Sequence, residues 1–75
     1  MRLVVTFHVT ADAMAAEEVC RRRKIPGRLV PVPRALSASC GLSWSAPLEA
    51  EERIREAFAG EGIAAEGYYE TEMLV

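Results

Sequence analysis

The chain has 75 residues, nine of them basic and eleven acidic, for a formal net charge of −2 at pH 7. That length predicts one small domain, residues 1–75, in which nearly every apolar segment must serve a single core, and it is too short to wall off a deep substrate cavity. The near balance of charge argues against nucleic acid or an anionic membrane as the main partner, and no apolar run approaches the roughly 20 residues that cross a bilayer.

Arg2 to His8 alternates Leu3, Val5 and Phe7 with Arg2, Val4, Thr6 and His8, which predicts a strand over 2–8 with one better-buried face. Thr10 is placed to cap a helix over 11–24, with Asp12 at its positive end and Ala13, Ala16, Val19 and Cys20 at helical spacing. Arg21-Arg22-Arg23-Lys24 then opposes the negative helix end, and Pro26-Gly27 is the predicted stop. Such a basic run reads first as a solvated face and second as a docking patch for an acidic partner.

Arg28 to Val32, closed by prolines, predicts an edge strand, and Leu42-Ser43-Trp44-Ser45 predicts another over 41–45 with Trp44 on a buried face. Pro47 opens a second predicted helix, 47–59, with Ala50, Ile54, Ala57 and Phe58 on one side; Gly60 and Gly62 end it. A last strand over 65–70 carries Tyr68 and Tyr69. The order β-α-β-β-α-β predicts an α+β ferredoxin-like sandwich, with two helices on one face of a four-stranded antiparallel sheet ordered 4-1-3-2. In that topology His8, Thr10, the start of the first helix and Cys40 share one end of the sheet. The uncovered face, with Val4 as a contributor, predicts a homodimer.

The chemistry-bearing stretch is Pro31-Val32-Pro33-Arg34-Ala35-Leu36-Ser37-Ala38-Ser39-Cys40-Gly41. Two prolines stiffen its entry and Gly41 is free to adopt backbone angles closed to other residues, which predicts a constrained turn around Cys40. Thiol chemistry requires the thiolate, favoured by positive charge and N–H donors; Arg34 supplies the first and the Ser39-Cys40-Gly41 amides the second. The same residues also fit a plain hairpin loop with an incidental cysteine.

With no secretory signal at the start, Cys20 and Cys40 predict reduced thiols and a cytoplasmic location. A disulfide between them is disfavoured, because Cys20 lies on the order of 14 Å along the first helix from the Cys40 end. Cys20, Cys40 and His8 lack the paired spacing of a zinc site, and the first and third strands lack the aromatic pattern of an RNA-binding sheet.

Val30-Pro31-Val32-Pro33-Arg34 followed by Leu36-Ser37-Ala38-Ser39-Cys40-Gly41-Leu42 resembles the selenium/sulfur carrier protein-like family, small bacterial domains of otherwise unassigned function. The resemblance spans nearly the whole chain and implies Cys40 as the chalcogen-bearing residue, with Arg34, Ser37, Ser39 and Gly41 as the matching positions around the cargo. It implies a non-enzymatic carrier that takes a persulfide or perselenide from a donor protein and gives it to an acceptor, with no cofactor and no metal. A second reading is a regulatory or scaffolding module that oligomerises through its open sheet face or captures a small anion at the Arg34 loop.

Overall fold

The computed structural model describes residues 1–72. Its elements run β1 Arg2–Phe7, α1 Thr10–Arg22, β2 Arg28–Pro31, β3 Leu42–Pro47, a 3₁₀ turn Leu48–Ala50, α2 Glu51–Glu61 and β4 Ala65–Thr71. The strands form one sheet ordered β2-β3-β1-β4 with every neighbouring pair antiparallel. This is the α+β, ferredoxin-like arrangement expected from the order of elements. It makes β1 and β2 parallel and brings the end of β1, the start of α1, the β2–β3 loop and the start of β4 to one end of the sheet.

Alternation along β1 sends Leu3, Val5 and Phe7 toward the helices, where they meet Trp44 and Ala46 of β3, Ala13, Ala16, Val19 and Cys20 of α1, and Ile54, Ala57 and Phe58 of α2. Phe7 and Phe58 lock the centre, with ring centroids 6.0 Å apart at 54°. Burying each such side chain contributes about 1.5–3 kcal/mol. Small alanines on α1 let the helix backbone come close to the sheet.

The opposite parity, Val4, Thr6, Ser43 and Ser45, points to the other face, yet all four residues are fully buried. On that face Arg2 Nε donates to Ser45 Oγ at 3.2 Å, and the Tyr69 ring lies against Gly67, where any Cβ would meet Tyr69 Oη at 2.6 Å. Val4 therefore offers no exposed area to a second copy.

Several boundaries differ from the sequence reading: α2 runs through Gly60 to Glu61 and is ended by Gly62 alone, at φ 73°, and two further differences have a plain cause. Pro47 ends β3, opposite Arg2, and does not open the second helix: its ψ of 148° is extended, and the helical path starts only with Leu48. α1 stops before Pro26, with Lys24 in the left-handed region at φ 58°. The residue before a proline avoids helical angles, so the chain must leave the helix earlier. Lys24 N–H then reaches Arg21 O at 3.2 Å and Ile25 N–H reaches Cys20 O at 2.8 Å, a Schellman closure with lysine where glycine is usual. Gly27 is used differently: at φ 145° it passes over the Trp44 indole, and a Cβ there would lie 2.5 Å from Nε1.

The basic run is tied to its own chain. Arg22 pairs with Glu18 and Glu61 at 3.3 Å each, Arg23 pairs with Glu61 at 2.9 Å, and Arg53 donates to the Arg23 and Lys24 carbonyls. These exposed pairs orient α1 against α2 but stabilise little.

Candidate functional site

The β2–β3 loop is closed at its base by Val32 N–H to Gly41 O at 3.0 Å, and the buried Pro33 opens a turn sealed by Leu36 N–H to Pro33 O at 3.0 Å. Its far limb bends back to β1, where Cys40 N–H donates to Phe7 O at 3.2 Å. That bond carries Cys40 inward. The residue is 4% exposed and joins the apolar core, while Ser39 and Gly41 on either side are exposed. The thiol is thus covered although its neighbours in the loop are exposed.

Two polar groups meet its sulfur. Leu42 N–H donates to Cys40 Sγ at 3.4 Å, and Thr10 Oγ1 lies 3.6 Å from it. Thr10 is the first residue of α1 and not its cap; Val9 occupies the cap position without a side-chain bond, leaving the Thr10 hydroxyl for the sulfur. A thiolate can only accept, so ionisation of Cys40 makes the hydroxyl a donor. The positive end of a 13-residue helix lies at the same place.

A third contributor comes from β4. Thr6 pairs with Gly67 but Phe7 pairs with Ala65, so Glu66 is an extra residue with no β1 partner. Such a bulge re-aims its side chain. The Glu66 carboxylate accepts Ser39 N–H at 3.0 Å through one oxygen and Ser39 Oγ at 2.9 Å through the other, and His8 Nδ1 lies 3.6 Å from the second oxygen. The Ser39 amide, then its hydroxyl, and to a smaller extent His8, hold this carboxyl below its ordinary 4.5 against the opposing effect of desolvation. Serine bonds to the carboxylate and not to the imidazole, so the trio lacks the order of a serine-nucleophile triad.

The expected site residues divide. Cys40 and Ser39 stand in this network, with His8 and Thr10 at the same end as the topology required. Arg34 and Ser37 are exposed and, among the described residues, make no hydrogen bond or ion pair with it. Gly41 has no positive φ, and a Cβ there would meet nothing within 4 Å, so the turn does not depend on glycine. Glu66, Leu42 N–H and the role of Thr10 at the sulfur were missed. One signal for Glu66 was present: a strand antiparallel to β1 must begin beside the residues where β1 ends.

Cys20 is fully buried on α1, and burial, partly offset by Arg53, pushes its thiol up to about 11. Among the described residues no group of three or more His, Cys, Asp or Glu side chains could hold a metal ion, and no helix is long and apolar enough to cross a membrane.

Fold and site together define a small α+β protein that holds a thiol between a hydroxyl and a backbone N–H at a helix start. The family model described as "Putative Se/S carrier protein-like" matches residues 2–70, and the chain belongs to that family. Its description is that of a selenium or sulfur carrier, a role that entails donor and acceptor proteins in general. Comparison with curated proteins produced no match, and neither did comparison with solved structures.

Proposed function

We propose that Cys40 is the carrier thiol, holding sulfur or selenium as a persulfide or perselenide between a donor protein and an acceptor in a reducing cytoplasm. The observation that carries this reading is the convergence of Leu42 N–H and Thr10 Oγ1 on Cys40 Sγ, beside the positive start of α1. Both groups can donate to an anionic sulfur, and so solvate the thiolate that attacks and the one that departs.

In the loading step the Cys40 thiolate attacks the outer sulfur of a donor persulfide. A new S–S bond forms to Cys40 Sγ, the donor's S–S bond breaks, and its electron pair leaves with the donor thiolate, which takes up a proton. An acceptor thiolate then attacks the outer sulfur and Cys40 departs as thiolate. The outer sulfur keeps its oxidation state throughout, so neither step requires an added oxidant or reductant. Selenium follows the same displacement. Residues 1–75 act here as one domain, and Ser39, whose amide and hydroxyl are anchored beside the thiol, sets the position of the loop; Arg34, Ser37 and Gly41 form the outer rim that a partner meets.

The test is a transfer assay with glutathione persulfide as donor and a small thiol as acceptor. After removal of excess donor, wild-type protein and Cys20→Ala pass about one sulfur atom per chain, as one nucleophile demands, whereas Cys40→Ser passes none. Transfer by Cys40→Ser equal to wild type overturns the reading.

A further inference from the structure

Three observations at the start of β4 have no place in the chemistry above. A bulge removes Glu66 from the regular pairing, its two carboxylate oxygens grip the amide and hydroxyl of Ser39, and the residue after Ser39 is a thiol 4% exposed between two exposed neighbours. A carrier thiol must be reached by donor and acceptor alike, and in this conformation it is covered. We infer that Glu66 is a latch: by holding Ser39 it keeps the loop closed over Cys40, and a partner that competes for Ser39 or for the Glu66 carboxylate exposes the thiol.

The geometry favours a releasable contact over a merely structural one. The Cys40 side of the loop is held by backbone bonds from Cys40 N–H to Phe7 O and from Val32 N–H to Gly41 O, by the contacts of Leu42 N–H and Thr10 Oγ1 with the sulfur, and by the side-chain grip of Glu66 on Ser39. The grip on Ser39 is exposed whereas the contacts to the sulfur are half-buried, so another carboxylate or another set of N–H donors can replace that grip. Ser39 is exposed and the Glu66 side chain is 24% exposed, so a docking partner can reach both. His8, 56% exposed at its side chain, lies on the same carboxylate and marks the side from which a cationic group on a partner would approach. A closed resting state also protects a loaded persulfide, because free small thiols in a reducing compartment would otherwise strip the outer sulfur. Opening only on contact would give the cargo to a protein and not to the solvent pool. Glu66 is in this sense a positioning residue that acts on Cys40 through Ser39.

The meaning of the latch rests on Cys40 being the carrier thiol, but its test does not, since access to a small neutral reagent is independent of any cargo. The rate of Cys40 modification by iodoacetamide is measured on the folded full chain by mass spectrometry, with Cys20 as internal reference. Hydrogen bonds to a charged group support an expected acceleration at Cys40 on the order of tenfold for Glu66→Ala, with Cys20 unchanged. Ser39→Ala, which loses the hydroxyl bond and keeps the amide bond, accelerates it less, and Glu66→Gln, which keeps one acceptor of the pair, falls between Glu66→Ala and wild type. Amide exchange at Ser39 and Cys40 rises in the same order. An unchanged Cys40 rate in folded Glu66→Ala overturns the latch, and so does equal acceleration of both thiols, which reports general loosening. A latch that fails while sulfur transfer still depends on Cys40 leaves the carrier reading intact; the converse result leaves the latch standing as a gate on a thiol of other use.

Discussion

Cys20 and Cys40 are covered to nearly the same degree, 0% and 4% exposed, and both touch the one core, yet their sulfurs meet different surroundings. Cys20 sits in the last turn of α1 beside Ala16 and Val19, among apolar groups, and burial pushes its thiol up to about 11. Cys40 sits where four chain segments end together, and a backbone N–H and a hydroxyl face its sulfur. The contrast teaches that exposure alone does not describe what a thiol meets. What distinguishes them is whether the polar groups left over at element ends are turned toward the sulfur. The last turn of a helix has no N–H to spare, because its N–H groups are already bonded within the helix and only carbonyls are left over there.

The sharpest way to break this contrast is to take the hydroxyl from Cys40 while keeping its shape. Thr10→Val should slow iodoacetamide modification of Cys40 by about tenfold, the worth of one hydrogen bond to a charged group, and leave Cys20 untouched. A rate equal to wild type would mean that the hydroxyl is a packing detail.

A smaller effect is expected from Cys20 on the alkaline side. Its ordinary value is 9.0 and the folded value about 11, so between these the unfolded chain has released the thiol proton while the folded chain still holds it. Stability therefore falls as pH rises through this window, by at most about 1 kcal/mol per pH unit. Urea unfolding of wild type and Cys20→Ala at about pH 8 and about pH 10 checks it, the variant showing the flatter dependence.

Gly41→Ala should do least. The backbone there is not left-handed and the space is open, so a stability change within about 0.5 kcal/mol is expected by thermal melting. Gly27→Ala provides the contrast, since its Cβ would collide with the Trp44 ring and the Ser45 carbonyl.

Much of the scaffold was legible because period carries it. Leu3, Val5 and Phe7 at spacing two, and Ala13, Ala16, Val19 and Cys20 at helical spacing, each declare a single buried face, and the β-α-β-β-α-β order leaves few ways to bury them together. The meeting of His8, Thr10 and Cys40 at one end followed from that order alone. The remainder of the site was hidden because it depends on exceptions to period. Glu66 acquires its role from a bulge, whose only mark in Ala-Glu-Gly-Tyr is a glycine inside a strand, which does not say which residue is left unpaired. Thr10 looked like a cap since threonine often is one, but the helix began one residue earlier and freed its hydroxyl. Gly41 looked essential because glycine permits unusual angles, and permission is not use.

The central claim is that the cargo sits on Cys40, and intact-protein mass spectrometry of material purified without reductant addresses it most directly. The account predicts a population heavier by one sulfur or selenium atom, returned to the unmodified mass by a thiol reductant and mapped by peptide fragmentation to Cys40. A chain that carries no reducible increment after purification and after exposure to a persulfide donor, or one whose increment maps to Cys20, would contradict it.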